Sequence, residues 1–83
     1  MNTQTPLLEL GAGETGLVVG CARGQRCLSR LAAMGFTPGA RVTVISNYRH
    51  APVLVLVHGS RVALGRGEAA KVFVRPDGGT GGG

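Results

Sequence analysis

Glycine and proline punctuate this chain so closely that its apolar residues form only short segments, and that spacing dictates a fold of short strands. The longest uninterrupted apolar run is Val53–Val57, against the ~20 residues that a membrane-spanning helix needs. One interval, Gly24 to Met34, reads as a helix. Its residues Cys27, Leu31 and Met34 fall at the i, i+4, i+7 spacing of one helical face, with Leu28 beside them and Arg26, Ser29, Arg30 and Ala33 on the other side. Gly35 is placed for a left-handed C-cap, and Pro38-Gly39 forbids continuation.

Strands are expected at Thr15–Val19, Val42–Ile45, Val53–Val57, Arg61–Leu64 and Val72–Val74, with a loop at Asn47–Pro52 and a helical turn within Gly65–Ala70. Short strands around one inserted helix predict a mainly β domain, a small and strongly bent barrel of about five strands whose closure removes exposed edges. Residues 1–6 are expected to be a disordered start, 7–76 the domain, and 77–83 a flexible tail. That tail holds five of the fifteen glycines and no apolar side chain, so burial cannot offset the entropy of ordering it. A folding unit this small buries only about 60% of its unfolded surface. Shallow pockets follow, which speaks against a self-contained enzyme and for a binding module.

Charge is distributed unevenly. All nine basic residues, eight of them arginine, lie between Arg23 and Arg75, a span with one acid, Glu68, so the folded body is expected near +8. An acidic protein, an anionic membrane surface or a nucleic acid would each be attracted. Stacking platforms for bases are scarce: the aromatics are Phe36, Tyr48 and Phe73, and Phe36 and Phe73 occupy core positions. No nucleic acid is therefore expected, and the arginines read as a solvated surface or one matched to an acidic protein.

Other motifs carry less. Gly11-Ala-Gly13-Glu-Thr-Gly16 has the G-x-G-x-x-G spacing, but a strand follows it where a dinucleotide site needs a helix, so it reads as a turn into the sheet. Cys21 and Cys27 stand six apart. Without a basic and apolar leader the chain reads as cytosolic, so both are expected as free, small buried hydrophobes; a disulfide is possible on spacing but disfavoured by compartment. Zinc would need further ligands, and only His50 and His58 remain, each far along the chain. The four acids are scattered and no nucleophile has a base and an orienting partner, so no catalytic residue, cofactor site or metal site is assigned.

The apolar run is itself an anomaly. If Val53, Val55 and Val57 fill the core, then Leu54, Leu56 and His58 face outward. Adjacent outward leucines mark a contact patch, unless the helix or the N-terminal leucines cover them.

Leu31-Ala-Ala-Met-Gly-Phe-Thr-Pro-Gly39, followed by Arg41-Val-Thr-Val44, resembles the signature of the FeoA family of bacterial ferrous iron transport. Gly59–Leu64, Glu68-Ala69, Val72 and Val74 continue the pattern, and Leu10–Val19 fits its opening, so the resemblance spans residues 7–76. C-terminal domains of iron-dependent repressors share the helix ending, but no DNA-binding helices precede it here. The resemblance implies an SH3-like barrel with one inserted α-helix and no catalytic activity. It implies a protein that assists or regulates the FeoB permease, a GTPase-bearing membrane protein for Fe(II), at its cytosolic face, and hence a cytoplasmic location, peripheral at the inner membrane through that permease. Leu31, Met34, Gly35, Pro38, Gly39, Leu64 and Glu68, the matched positions, read as fold determinants. Related sequences carry polar residues where this one has Leu54 and Leu56, which points the patch toward docking or a homodimer. The partner-binding set expected is Arg26, Leu28, Arg30, Leu54, Leu56 and His58. Two alternatives remain open: a metal-responsive module using Cys21, Cys27, His50 or His58, and a small basic nucleic-acid-binding barrel.

Overall fold

The structure, a computed structural model, describes residues 4–21 and 25–76 of the chain, with the side chains of residues 25–28 outside the description. Six antiparallel strands, β1 (Thr5–Pro6), β2 (Thr15–Cys21), β3 (Arg41–Ser46), β4 (Val53–Val57), β5 (Ser60–Leu64) and β6 (Val72–Pro76), form one sheet in the order β1-β6-β2-β3-β4-β5. The helix α1 (Gln25–Ala32) joins β2 to β3, and a single helical turn, α2 (Arg66–Ala69), joins β5 to β6.

Period-two alternation decides the faces. Val42 and Val44 of β3, Val53, Val55 and Val57 of β4, Leu64 of β5, and Val72 and Val74 of β6 all point into one core with Val18, Leu31 and Phe36. Leu7 and Leu10, at the ends of a 3₁₀ turn over Leu7–Glu9, close that core from the N-terminal side. Register shifts between Val18 and Gly20 and between Val44 and Ser46 bend the sheet around it.

α1 ends where the glycine predicts. The Gly35 N–H donates to Ala32 O at 2.9 Å and the Phe36 N–H to Leu31 O at 2.9 Å, the paired bonds of a Schellman motif, with Gly35 at φ +96°. The next turn, Thr37-Pro-Gly-Ala40, has Gly39 at φ +90° and an Ala40 N–H to Thr37 O bond of 2.9 Å. A Cβ on Gly35 would also lie 3.1 Å from His58 Cδ2. Gly35→Ala is therefore expected to cost about 1–3 kcal/mol, read as a lower melting temperature with unchanged far-UV circular dichroism.

Several expectations need correction. There are six strands rather than five, because Thr5–Pro6 pairs with β6 through Thr5↔Val74 and Pro6↔Phe73. Order thus begins within the segment expected to be a disordered start; the tail 77–83 lies outside the described residues. The sheet is not closed: among the described residues β1 and β5 end it, and no strand pairs with the outer edge of either. Glu9 and Glu14 belong to the fold, so residues 5–76 carry nine basic residues against three acids, +6 rather than +8. Phe36 is fully buried, but Phe73 is only half-buried, facing Gly20 and Pro6 across its neighbours.

Candidate docking face

The outer face of the sheet assembles from residues that alternate with the core. β2 contributes Thr15 and Leu17, β3 Arg41 and Thr43, β4 Leu54 and Leu56, and β5 Arg61 and Ala63. Register sets them in rows. Arg75, Leu17 and Arg41 are successive partners across β6, β2 and β3. Thr15, Thr43, Leu56 and Arg61 are successive partners across β2 to β5, with the Thr15 and Thr43 hydroxyls 3.4 Å apart. Leu54 faces Ala63 in the next row. Leu56 is 39% exposed and Leu54 is half-buried. The outward orientation expected for both leucines is the one observed, and neither is covered by α1 to the point of burial.

The remaining expected partner-binding residues scatter. Arg30 is exposed on α1, and its Nη2 lies 3.3 Å from Glu68 Oε2 of α2. It reaches toward α2 rather than β4, and its charge is partly matched. Arg26 and Leu28 lie on α1 with side chains outside the description. His58 is exposed at the first position of the β4–β5 turn, in a left-handed conformation (φ 50°). Its ring packs against Gly35, which joins that turn to the end of α1.

Two further expectations, for Arg66 and Cys21, are corrected by the structure. Arg66 was counted among the surface cations, but its Nη1 donates to Asn47 Oδ1 (2.9 Å), Tyr48 O (2.7 Å) and Ala51 O (3.0 Å). Asn47 in turn donates from Nδ2 to Leu8 O (2.8 Å) and Leu10 O (2.7 Å). One arginine and one asparagine thus clasp the 3₁₀ turn, the β3–β4 loop and α2. Cys21 is disulfide-bonded, correcting the expectation of free thiols. β2 runs two residues past its expected end and carries Cys21 to within four residues of α1, whose first turn holds Cys27, the chain's other cysteine.

His50 and His58 lie beyond opposite ends of β4, roughly 15 Å of strand, so one chain does not bring them together. Among the described residues, no three His, Cys, Asp or Glu side chains cluster as a metal site. Tyr48, 72% exposed in the β3–β4 loop, is the one fully exposed aromatic. The three described acids lie elsewhere than the sheet face: Glu9 in the 3₁₀ turn, Glu14 accepting the Gly11 N–H at 2.6 Å, and Glu68 facing Arg30. The face is apolar with a cationic margin.

The fold that carries this face has known counterparts. The family model described as the FeoA domain matches residues 5–76. A Methanocaldococcus jannaschii protein named as an Fe(2+) transport protein A is 36% identical over 69 residues, 83% of either chain. The crystal structure of an iron uptake regulatory protein (FeoA) superposes with a TM-score of 0.83 at 37% identity, covering 90% of this chain and 100% of that one. A Stenotrophomonas maltophilia FeoA complexed with zinc, described as a procaryotic SH3 domain protein, superposes with a TM-score of 0.68 at 26% identity, covering 89% of this chain and 91% of that one.

Proposed function

The chain belongs to the FeoA family, and from that premise we propose that it is a non-enzymatic accessory module of ferrous iron uptake, docking on the cytosolic part of a FeoB-type permease through the outer face of β3–β5. The relatives' names supply the transport system. The observation that carries docking is Leu56, left 39% exposed beside Leu54 and Arg61 on a sheet whose inner face already fills the core. An apolar patch edged by cations suits a partner surface that is apolar and acidic, the cations steering encounter and the leucines supplying affinity. Arg26, Leu28 and Arg30 of α1 and His58 of the β4–β5 turn are the further contacts in this reading. No helix among the described residues is long and apolar enough to cross a membrane.

Binding to one nucleotide state of the permease's GTPase domain in preference to the other would bias that domain by the difference in affinity. The test retains the soluble GTPase domain on immobilised protein, with GDP and with a GTP analogue. Retention is expected in at least one state, and Leu56→Asp, alone or with Leu54→Asp, is expected to weaken it by about tenfold or more while the protein stays folded. Unchanged retention by a folded variant would remove the face from the proposal. No retention of the domain by the parent protein in either state would remove the partner.

A further inference from the structure

Among the described residues β5 ends the sheet, paired with β4 along one side and with no strand along the other. Its register settles which backbone groups that free side offers. The turn His58-Gly59 is closed by Val57↔Ser60, and both turn residues have positive φ (50° and 77°), as a two-residue type I′ hairpin requires. Its closing pair exchanges both backbone hydrogen bonds, and antiparallel alternation repeats this at Val55↔Val62 and Val53↔Leu64. Arg61 and Ala63 therefore turn their N–H and C=O groups away from β4. Among the described residues, no turn or loop backbone bond engages either one. Both are exposed.

The side chains describe the occupant. Arg61 and Ala63 stand on the outer face beside Leu56 and Leu54, whereas Val62 points inward and is only partly buried against the core. A strand added at this edge would set a side chain beside Arg61 on the outer face and the next one beside Val62 on the inner face. Arg75 shares the outer face, and the described acids lie elsewhere: Glu9 in the 3₁₀ turn, Glu14 against the Gly11 N–H and Glu68 on α2 beside Arg30. A second copy of β5 fits poorly: the antiparallel registers that pair Arg61 with Arg61 or with Ala63 of that copy set the two Arg61 side chains opposite or diagonal to each other.

We propose that the free edge of β5 is a strand-addition site for an extended acidic segment of a partner protein, with carboxylates alternating with β-branched residues. The backbone of Arg61 and Ala63 supplies the hydrogen bonds, Arg61 meets a carboxylate, and Val62 receives an aliphatic side chain. The proposal deepens the docking face described above and rests on that reading only for the partner's identity.

The test uses the full chain, ¹⁵N-labelled, with a blocked heptapeptide alternating Glu and Val and its Lys/Val counterpart. Amide shifts and added exchange protection are expected at Arg61 and Ala63, with the Glu peptide bound about tenfold more tightly than the Lys peptide and the preference falling with salt. Arg61→Glu is expected to invert the preference. Ala63→Pro is expected to fold, since that N–H is outside the ladder, and to lose binding of both peptides. Equal response to the two peptides, or shifts away from β5, would overturn the proposal. So would tighter capture of the chain by phosphatidylglycerol vesicles that leaves the peptide inert, or a concentration-dependent doubling of mass that blocks the edge. If the permease GTPase domain is retained while the β5 amides stay unmoved, strand addition falls and the docking face stands. If β5 takes the peptide and the domain is not retained, the reverse holds.

Discussion

Phe36→Ala is expected to be the most damaging single truncation in the described molecule, at about 3–5 kcal/mol. The ring has no exposed surface, and its own N–H completes the α1 stop by donating to Leu31 O at 2.9 Å. Truncation would open a cavity where the end of α1 and the sheet share a core, and would strip the Schellman motif of its apolar contact. Small domains have about 5–15 kcal/mol of total stability, so a substantial unfolded fraction at room temperature is the expected result. Urea titration checks it: the midpoint should collapse while the slope holds, and Phe36→Leu should recover most of the loss. A cost below about 1 kcal/mol, the level of an ordinary surface change, would mean that the helix end is not packed as described.

Arg66→Ala ranks second, with an expected loss of about 2–3 kcal/mol. The guanidinium is the shared donor for Asn47 Oδ1 and for the carbonyls of Tyr48 and Ala51. Removing it leaves three acceptors to find water and unpins a loop that the sheet does not hold. Asn47→Ala should release the Leu8 and Leu10 carbonyls and cost a similar amount. The pair should be strongly non-additive in a double-mutant cycle, because each residue orients the other. Faster amide exchange at residues 47–51 would accompany both changes, and Asn47→Ala should extend it to the 3₁₀ turn over Leu7–Glu9. Strict additivity would contradict the clasp.

The elements were legible where pattern is local. Val53–Val57 and Val72–Val74 announce strands, and the stop at Gly35 follows from the glycine and the Pro38-Gly39 turn. β1 was not legible, because Thr5-Pro6 has no alternation of its own and is a strand only because β6 offers an edge. Closure of the sheet, and the assignment of Arg66, failed for the same reason. Whether a strand has a second neighbour, or a guanidinium meets carbonyls fifteen to nineteen residues away, depends on tertiary placement that composition does not encode. Cys21 was misjudged on compartment, an argument about chemistry outside the chain rather than distance within it. Of the docking face, Leu54 and Leu56 could be read from period two, whereas the position of Arg61 beside Leu56 comes only from register. Arg30 belongs with Glu68, a pairing that no sequence spacing suggests.

The strand order has a practical consequence. The segments nearest the two ends of the described chain, β1 and β6, lie side by side at one margin of the sheet, while β5 forms the opposite margin from mid-chain residues. A purification tag, a resin or a longer polypeptide attached at either end therefore continues from β1 or β6 and not from the strand that carries Arg61 and Ala63. The domain can be tethered, fused or spliced between other domains without interrupting its contacting strand.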